Sequence, residues 1–493
     1  MNMKSKILAI VLTIMTLSAC DSYFDRAVAP STLVTDEWSS NEELEKLTVA
    51  SYFLWQGYHE GVCDLGVMIP TFTSDEGVIS AENDNNIDYG NHDKLYLRET
   101  DDATIPYLAR IWQSGYEVVR TSNTVINYLN ENGAFDDSFI DWEERLKGEN
   151  YFCRAFAFYT LVKNFAPPFD RTVDMSVPAI ICDTINSEGA FDTKGLKSMQ
   201  YVYDQVIKDL NNAIAYLPEE YDSERDPLTY QDRAKKDAAR FLLARVYFQM
   251  GPEYWEQSLT QIDSVLKDNK YPLQANPQDA FTQHGLGQFA SETVFKYAAY
   301  NDQARWRIPS MYYYFGGGSG SKRKRMFKMN SQFEQFLGWD NDEEAGKDLR
   351  YQQLFVNYST GIWADKWKTI GDDLPMMRSA ELHLTRAVIC LLTGLGGGNP
   401  QAIEDLNTVM VRAYGSNHQP LDANNSTEEL LDIVHQERGK ELFFEGDRLY
   451  YLQALRGEVG PGDRENQECL QWNSDKLYWP IPEREQNLND NIN

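Results

Sequence analysis

Apolar residues return at i, i+3, i+4 and i+7 in one stretch of this chain after another, a period that admits little besides a stack of amphipathic helices. Ala239, Leu242, Leu243, Val246, Tyr247 and Met250 line one such face, and Phe152, Ala155, Phe156, Tyr159 and Val162 line a second. Ala380, His383, Leu384, Ala387, Val388 and Leu391 line a third, with His383 packed or hydrogen-bonded at the stripe's edge rather than acting as a ligand. Each stripe is followed by a break and a second amphipathic run. Gly251-Pro252 ends the first ahead of 253–266, and the glycine-rich stretch 394–400 ends the third ahead of 401–413. Two more pairs are readable: 109–130 with 140 onward, and 148–165 with 199–217, the latter interrupted by a long insert at 167–197.

A helix with one apolar face must bury it, so neighbouring pairs have to stack. Helix pairs with Gly or Pro in the turn and Ala at close-packing positions resemble tetratricopeptide units, whose period is about 34 residues. The spacing therefore predicts a mainly α fold. Its frame is a tetratricopeptide-like scaffold of helical pairs near 109–165, 199–217, 234–268 and 378–413, within a single domain over 20–493. Between the pairs, 72–100 is rich in Asn and Asp, and 271–338 mixes Pro, Gly and aromatics without a sustained period. Both read as long irregular loops and short β elements laid over the scaffold.

The chain starts with an export leader. Residues 7–17 are apolar, follow Lys4 and Lys6, and run into Leu17-Ser18-Ala19-Cys20. That run is too short to cross a bilayer core of about 30 Å, and it has the length of a secretory signal. Small residues before a cysteine match the lipobox of bacterial lipoproteins, in which the chain is cut before the cysteine and its thiol acylated. Residues 1–19 are then signal peptide and Cys20 the lipid anchor. A formal net charge of −29 discounts nucleic acid and anionic lipid surfaces as partners. The other cysteines, Cys63, Cys153, Cys182, Cys390 and Cys469, form no C-x-x-C pair, so a zinc ribbon is unsupported and most should behave as small buried hydrophobes.

Further motifs fall in a telling order. They are Ile111-Trp112-Gln113-Ser114-Gly115-Tyr116, Gly148-Glu149 leading into Arg154-Ala155-Phe156-Ala157-Phe158-Tyr159, and Ala238-Ala239 to Ala244-Arg245-Val246-Tyr247. Arg378-Ser379-Ala380-Glu381-Leu382 comes next, then Glu437-Arg438-Gly439-Lys440-Glu441-Leu442-Phe443-Phe444-Glu445-Gly446-Asp447-Arg448, and finally Pro480-Ile481-Pro482. Together with the lipobox, these resemble the SusD/RagB-like outer-membrane nutrient-binding lipoproteins along the whole chain. One departure stands after Arg448, where Leu449-Tyr450-Tyr451-Leu452 replaces the usual aromatic pair followed by Asp-Leu. The resemblance implies a non-catalytic, lipid-anchored outer-membrane protein facing the cell exterior. It would capture oligosaccharide or polysaccharide and deliver it to a partner TonB-dependent (SusC-like) transporter. It implies no cofactor.

A sugar binder needs flat aromatic faces for the CH surfaces of pyranose rings, with polar groups nearby for hydroxyls. The richest such stretch holds Tyr300, Asp302, Arg305, Trp306, Tyr312 and Tyr313, followed by the glycine-rich 316–320. Its rings either contact ligand or seal the region onto the scaffold. A second candidate surface is Asn83, Asp84 and Tyr89, in the part of the chain where the resemblance places a ligand edge; the alternative there is a solvated loop. Asp84, Asn86 and Asp88 imitate the start of a calcium loop, but Gly90 is displaced and Leu95 stands where a ligating Glu belongs, so no EF-hand is expected. The basic run Lys322, Arg323, Lys324, Arg325 and Lys328 reads as a solvated loop or a contact for anionic groups. No H-E-x-x-H, nucleophile elbow or phosphate loop is present, so no enzyme is expected. Two other readings remain: a peptide binder on the same scaffold, and a helical surface glycosidase.

Overall fold

The computed structural model describes residues 40–56, 62–79, 89–135, 142–185, 194–222, 224, 226, 230, 232–282, 287–297, 327–359, 361–368 and 372–492. Helices dominate. In chain order they are α1 (Asn41–Gln56), α2 (Val62–Thr73), α3 (Tyr89–Leu97), α4 (Pro106–Asn132), α5 (Trp142–Phe165) and α6 (Met199–Tyr216). There follow α7 (Lys236–Met250), α8 (Trp255–Leu266), α9 (Ser379–Thr393), α10 (Gly398–Tyr414), α11 (Thr427–Leu442) and α12 (Arg448–Ala454), besides shorter pieces such as Ser331–Phe336 and Leu349–Leu354.

The helical pairs form where the apolar period places them. α4 packs on α5, α5 on α6, α7 on α8, and α9 on α10. Every stripe residue named above is buried except Tyr247 and His383, which are half-buried. His383 donates to or accepts from Asp405 across 2.6 Å, as suits a polar side chain at the stripe's edge. Starts and stops follow capping chemistry. Ser198 accepts the Tyr201 N–H at the head of α6, and Ser426 with Glu429 closes a reciprocal capping box before α11. α9 ends where Gly394 takes φ 72°, a left-handed turn that costs glycine nothing and lets its N–H reach Cys390 O at 2.8 Å.

α5 is buried on nearly every side, so its polar residues need partners inside the frame. Arg154 clasps Asp209 of α6 through two bonds of 2.8 and 2.7 Å and also reaches Asn123 of α4. Arg145 bridges Glu149 and Glu45, tying α5 to α1. Of the cysteines, Cys63, Cys153, Cys182 and Cys390 are buried, Cys469 is exposed, and all five are free thiols.

The strands are short and pair in twos. β1 (Gly77–Ile79) pairs with β5 (Phe327–Met329), and β2 (Pro178–Ile180) with β3 (Lys197–Ser198). β4 (Thr293–Tyr297) pairs with β8 (Leu374–Arg378), and β6 (Phe355–Tyr358) with β7 (Gly361–Ala364), all antiparallel. The region 72–100, read as loop with short elements, holds a strand and also helix. Within it lie the end of α2, β1 and α3, and α3 buries His92, Leu95 and Tyr96, spaced i, i+3 and i+4. A helix of two and a half turns carries too few periods to stand out in a polar sequence, and tertiary burial rather than propensity holds it.

β8, α10, α11 and the short helix Leu349–Leu354 meet in a buried ion network. Arg378 donates to Glu292 at 2.7 Å, to Glu441 at 2.8 Å and to Glu445 at 2.7 and 3.0 Å. Arg412 adds a 2.6 Å bond to Glu441, and Lys366 a 2.6 Å bond to Glu445. Arg350 joins Asp348, Glu437 and Glu441, while Lys440 reaches Glu437 at 3.2 Å. Burial alone would push the Glu441 carboxyl up, but Arg412, Arg378 and Arg350 around it hold it well below the usual carboxylate range. Cations and carboxylates balance one for one here: Arg378, Arg412, Arg350, Lys366 and Lys440 against Glu292, Glu441, Glu445, Glu437 and Asp348.

Candidate functional site

Two segments that hold candidate ligand residues in the sequence, 80–88 and 298–326, each have one end on the same ribbon. In the β1–β5 ribbon the register is Gly77 opposite Met329, Val78 opposite Lys328 and Ile79 opposite Phe327. Because the pair is antiparallel, Ile79, which leads into 80–88, faces Phe327, which receives the chain from 298–326. Their roots therefore share one end of one ribbon. The second root of 298–326 is Tyr297, opposite Leu374 in the β4–β8 pair. The hairpin of β6 and β7 packs alongside β5, bringing Gly361 against the side chain of Lys328.

The ribbon is clamped from below. Position 77 has to be glycine, because a Cβ there would collide with the Phe327 ring. That ring meets Phe72 edge-on at 4.5 Å and lies 5.1 Å from Phe444. Phe444 itself sits at φ 58°, a region costly for an aromatic residue, and full burial against Phe443 at 3.8 Å keeps it there. Arg448 holds Asp75 through bonds of 2.8 and 2.9 Å. Burial works against the Asp75 charge, but Arg448 outweighs it and keeps the carboxyl below its ordinary value. Arg98 and Arg464 then donate to the carbonyls of Phe72, Thr73 and Ser74, fixing the turn that enters β1.

Beside this clamp lies an unbalanced acid. Glu76 is 1% exposed, accepts the Phe444 N–H at 3.3 Å on one oxygen, and has no partner for the other among the described residues. Burial pushes its pKa up to about 8. The folded protein thus binds a proton here that the unfolded chain releases above about 4.5, so this group favours folding at low pH and loses that contribution as pH rises toward 8. Glu76→Gln is expected to stabilise the protein by a few kcal/mol at pH 9 and to change little at pH 4. Urea unfolding at the two pH values checks this; an equal effect at both would contradict it.

The individual ligand candidates mostly lie outside the described residues: Cys20, Asn83, Asp84, Tyr300, Asp302, Arg305, Trp306, Tyr312 and Tyr313. So do Asp84, Asn86 and Asp88 of the calcium-like pattern, and the basic run apart from Lys328. Tyr89 opens α3, with its side chain outside the described set. Among the described residues no group of three or more metal-ligating side chains gathers, and no helix is long and apolar enough to cross a membrane. Sequence reasoning missed the clamp: Asp75, Glu76, Arg98, Phe327, Arg448 and Arg464. Only Gly77, between an acidic pair and an Asn-rich run, hinted at a close approach.

The chain matches two related family models. Residues 31–248 fit one described as "Starch-binding associating with outer membrane", and residues 291–453 fit the SusD family model. This chain belongs to the SusD/RagB-like family. Among SusD-like relatives, it is 24% identical over 422 residues to SusD-like protein P2 of Formosa agariphila, covering 78% of this chain and 79% of that one. In fold it is similar to a SusD superfamily protein from Bacteroides thetaiotaomicron, with a TM-score of 0.75 at 19% identity over 92% of this chain and 99% of the other. It is also similar to surface glycan-binding protein A of Bacteroides thetaiotaomicron, solved in complex with laminarihexaose, with a TM-score of 0.67 at 17% identity over 91% and 98%. The mainly helical frame described above is the SusD superfamily architecture.

Proposed function

We propose that this SusD/RagB-family protein is a non-catalytic glycan receptor, lipid-anchored at Cys20 on the outer membrane and facing outward, which hands oligosaccharide or polysaccharide to a TonB-dependent transporter. The observation that carries the glycan reading is the shared root of 80–88 and 298–326 on the β1–β5 ribbon. That adjacency supports reading amide and carboxylate groups such as Asn83 and Asp84 as serving the same ligand as Trp306, Tyr312 and Tyr313. Stacking rings with hydroxyl-binding groups beside them suit pyranose recognition. A family relative that holds laminarihexaose supports the same ligand class.

A panel of soluble glycans, laminarihexaose included, tests the reading against its rivals. Saturable affinity with no new reducing ends supports a receptor. Release of reducing ends would make the protein a glycosidase, and affinity for oligopeptides without any for glycans would make it a peptide binder. The anchor has its own check. Cys20→Ala is expected to move the protein from the membrane fraction of its host to the soluble fraction; retention in the membrane would refute lipidation at Cys20.

A further inference from the structure

Where α2, α5, α7, α9, α11 and α12 converge on β8 they leave a cavity of about 90 Å³, partly open to solvent, with Lys163 and Arg245 half-buried in its wall. Its wall holds an amine with no counter-ion. Lys163, in the last turn of α5, lays its Nζ 4.0 Å from the ring centre of Tyr450 and 4.4 Å from that of Tyr159, and it makes no hydrogen bond or ion pair with any described residue. Arg245 of α7 is in the same wall. Its Nε and Nη2 are committed to Glu381 at 2.6 and 2.5 Å and to the Met376 carbonyl at 2.6 Å, while Nη1 has no described partner.

The carboxylates that face the cavity are already occupied. Arg245 takes Glu381, Arg438 grips Asp447 through bonds of 2.7 and 2.6 Å, and Glu445 belongs to Arg378 and Lys366. Lys163 and Arg245 thus line a small space whose carboxylates are each already paired with a cation. Burial lowers the Lys163 pKa to about 7, and the neighbouring Arg245 charge acts in the same direction, against weaker opposite pulls from Glu381 and Asp447. Tyrosine rings over an ammonium supply attraction but no proton acceptor.

We infer that this cavity is a binding site for a small carboxylate, held by Lys163 together with Arg245. A carboxylate offers one oxygen to each cation and forms charge-assisted bonds with both. The size agrees. An apolar cavity of about 150 Å³ takes a molecule as large as benzene, so about 90 Å³ suits acetate. Phe156, Phe248 and Met376 line the remainder and suit a methyl group. The site is made of frame residues and stands independently of the glycan reading.

Acetate is the probe, with chloride at matched ionic strength as the control. In the mature protein carrying 13C-methylated lysines, one resonance should titrate near pH 7, apart from ordinary lysines near 10, and saturating acetate should move that titration up by at least one pH unit because a bound anion favours the charged amine. The thermal unfolding midpoint should rise with acetate and not with chloride. In Lys163→Met that acetate-dependent rise should vanish while the helical circular dichroism is kept. Should the variant fail to fold, the wild-type resonance still decides: if it titrates identically in acetate and chloride, the proposal is overturned.

Discussion

Arg378→Met is expected to destabilise the protein by about 3–5 kcal/mol at pH 8, measured by urea unfolding. Arg378 is 1% exposed and donates to Glu292, Glu441 and Glu445, in a network where cations and carboxylates cancel. Methionine fills similar space and removes the charge, which leaves one carboxylate in excess in a buried region. The deficit should shrink at pH 5. With Arg378 gone, the excess carboxylate has its pKa raised by burial, so acid supplies the proton that replaces the lost cation. A loss under about 1 kcal/mol at pH 8, or one that grows in acid, would show that the network does not hold the frame.

Trp306→Ala should do the opposite kind of damage. If the ring stacks on a pyranose face, truncation costs about 1.4 kcal/mol or more, at least a tenfold loss of glycan affinity, while the unfolding midpoint stays within about a degree. Affinity by titration and stability by calorimetry have to be read on the same preparation. A large fall in the midpoint would assign Trp306 to the core, since emptying a buried indole site costs about 3–5 kcal/mol.

The frame was legible because its signal is local and repeated. Leu242, Leu243, Val246 and Met250 declare a helix face within fifteen residues, and Gly251 declares its stop. The same cannot be said of the β1–β5 ribbon. β1 and β5 are three residues each and almost 250 positions apart, so neither period nor propensity could pair Ile79 with Phe327. The most distinctive motif was legible as a family mark but silent about its physical role. From Glu437 to Arg448 nearly every charged side chain is directed inward: Glu437, Lys440, Glu441 and Glu445 into the Arg378 network, Arg438 to Asp447, and Arg448 to Asp75. Charge alone does not tell a buried run from a solvated one, and here the run is largely buried. The helix α3 was hidden for a related reason, since its three buried residues are rewarded only by tertiary contacts, among them His92 with Tyr107 of α4 and Tyr96 with Phe327 of β5.

Hydrogen exchange followed by mass spectrometry, with and without a saturating glycan, tests the central claim most directly. The account expects slowed exchange in peptides covering 80–88 and 298–326, unchanged exchange in α4 to α10, and glycan recovered intact. Protection confined to the helical frame, or recovery of shortened glycan, would contradict it.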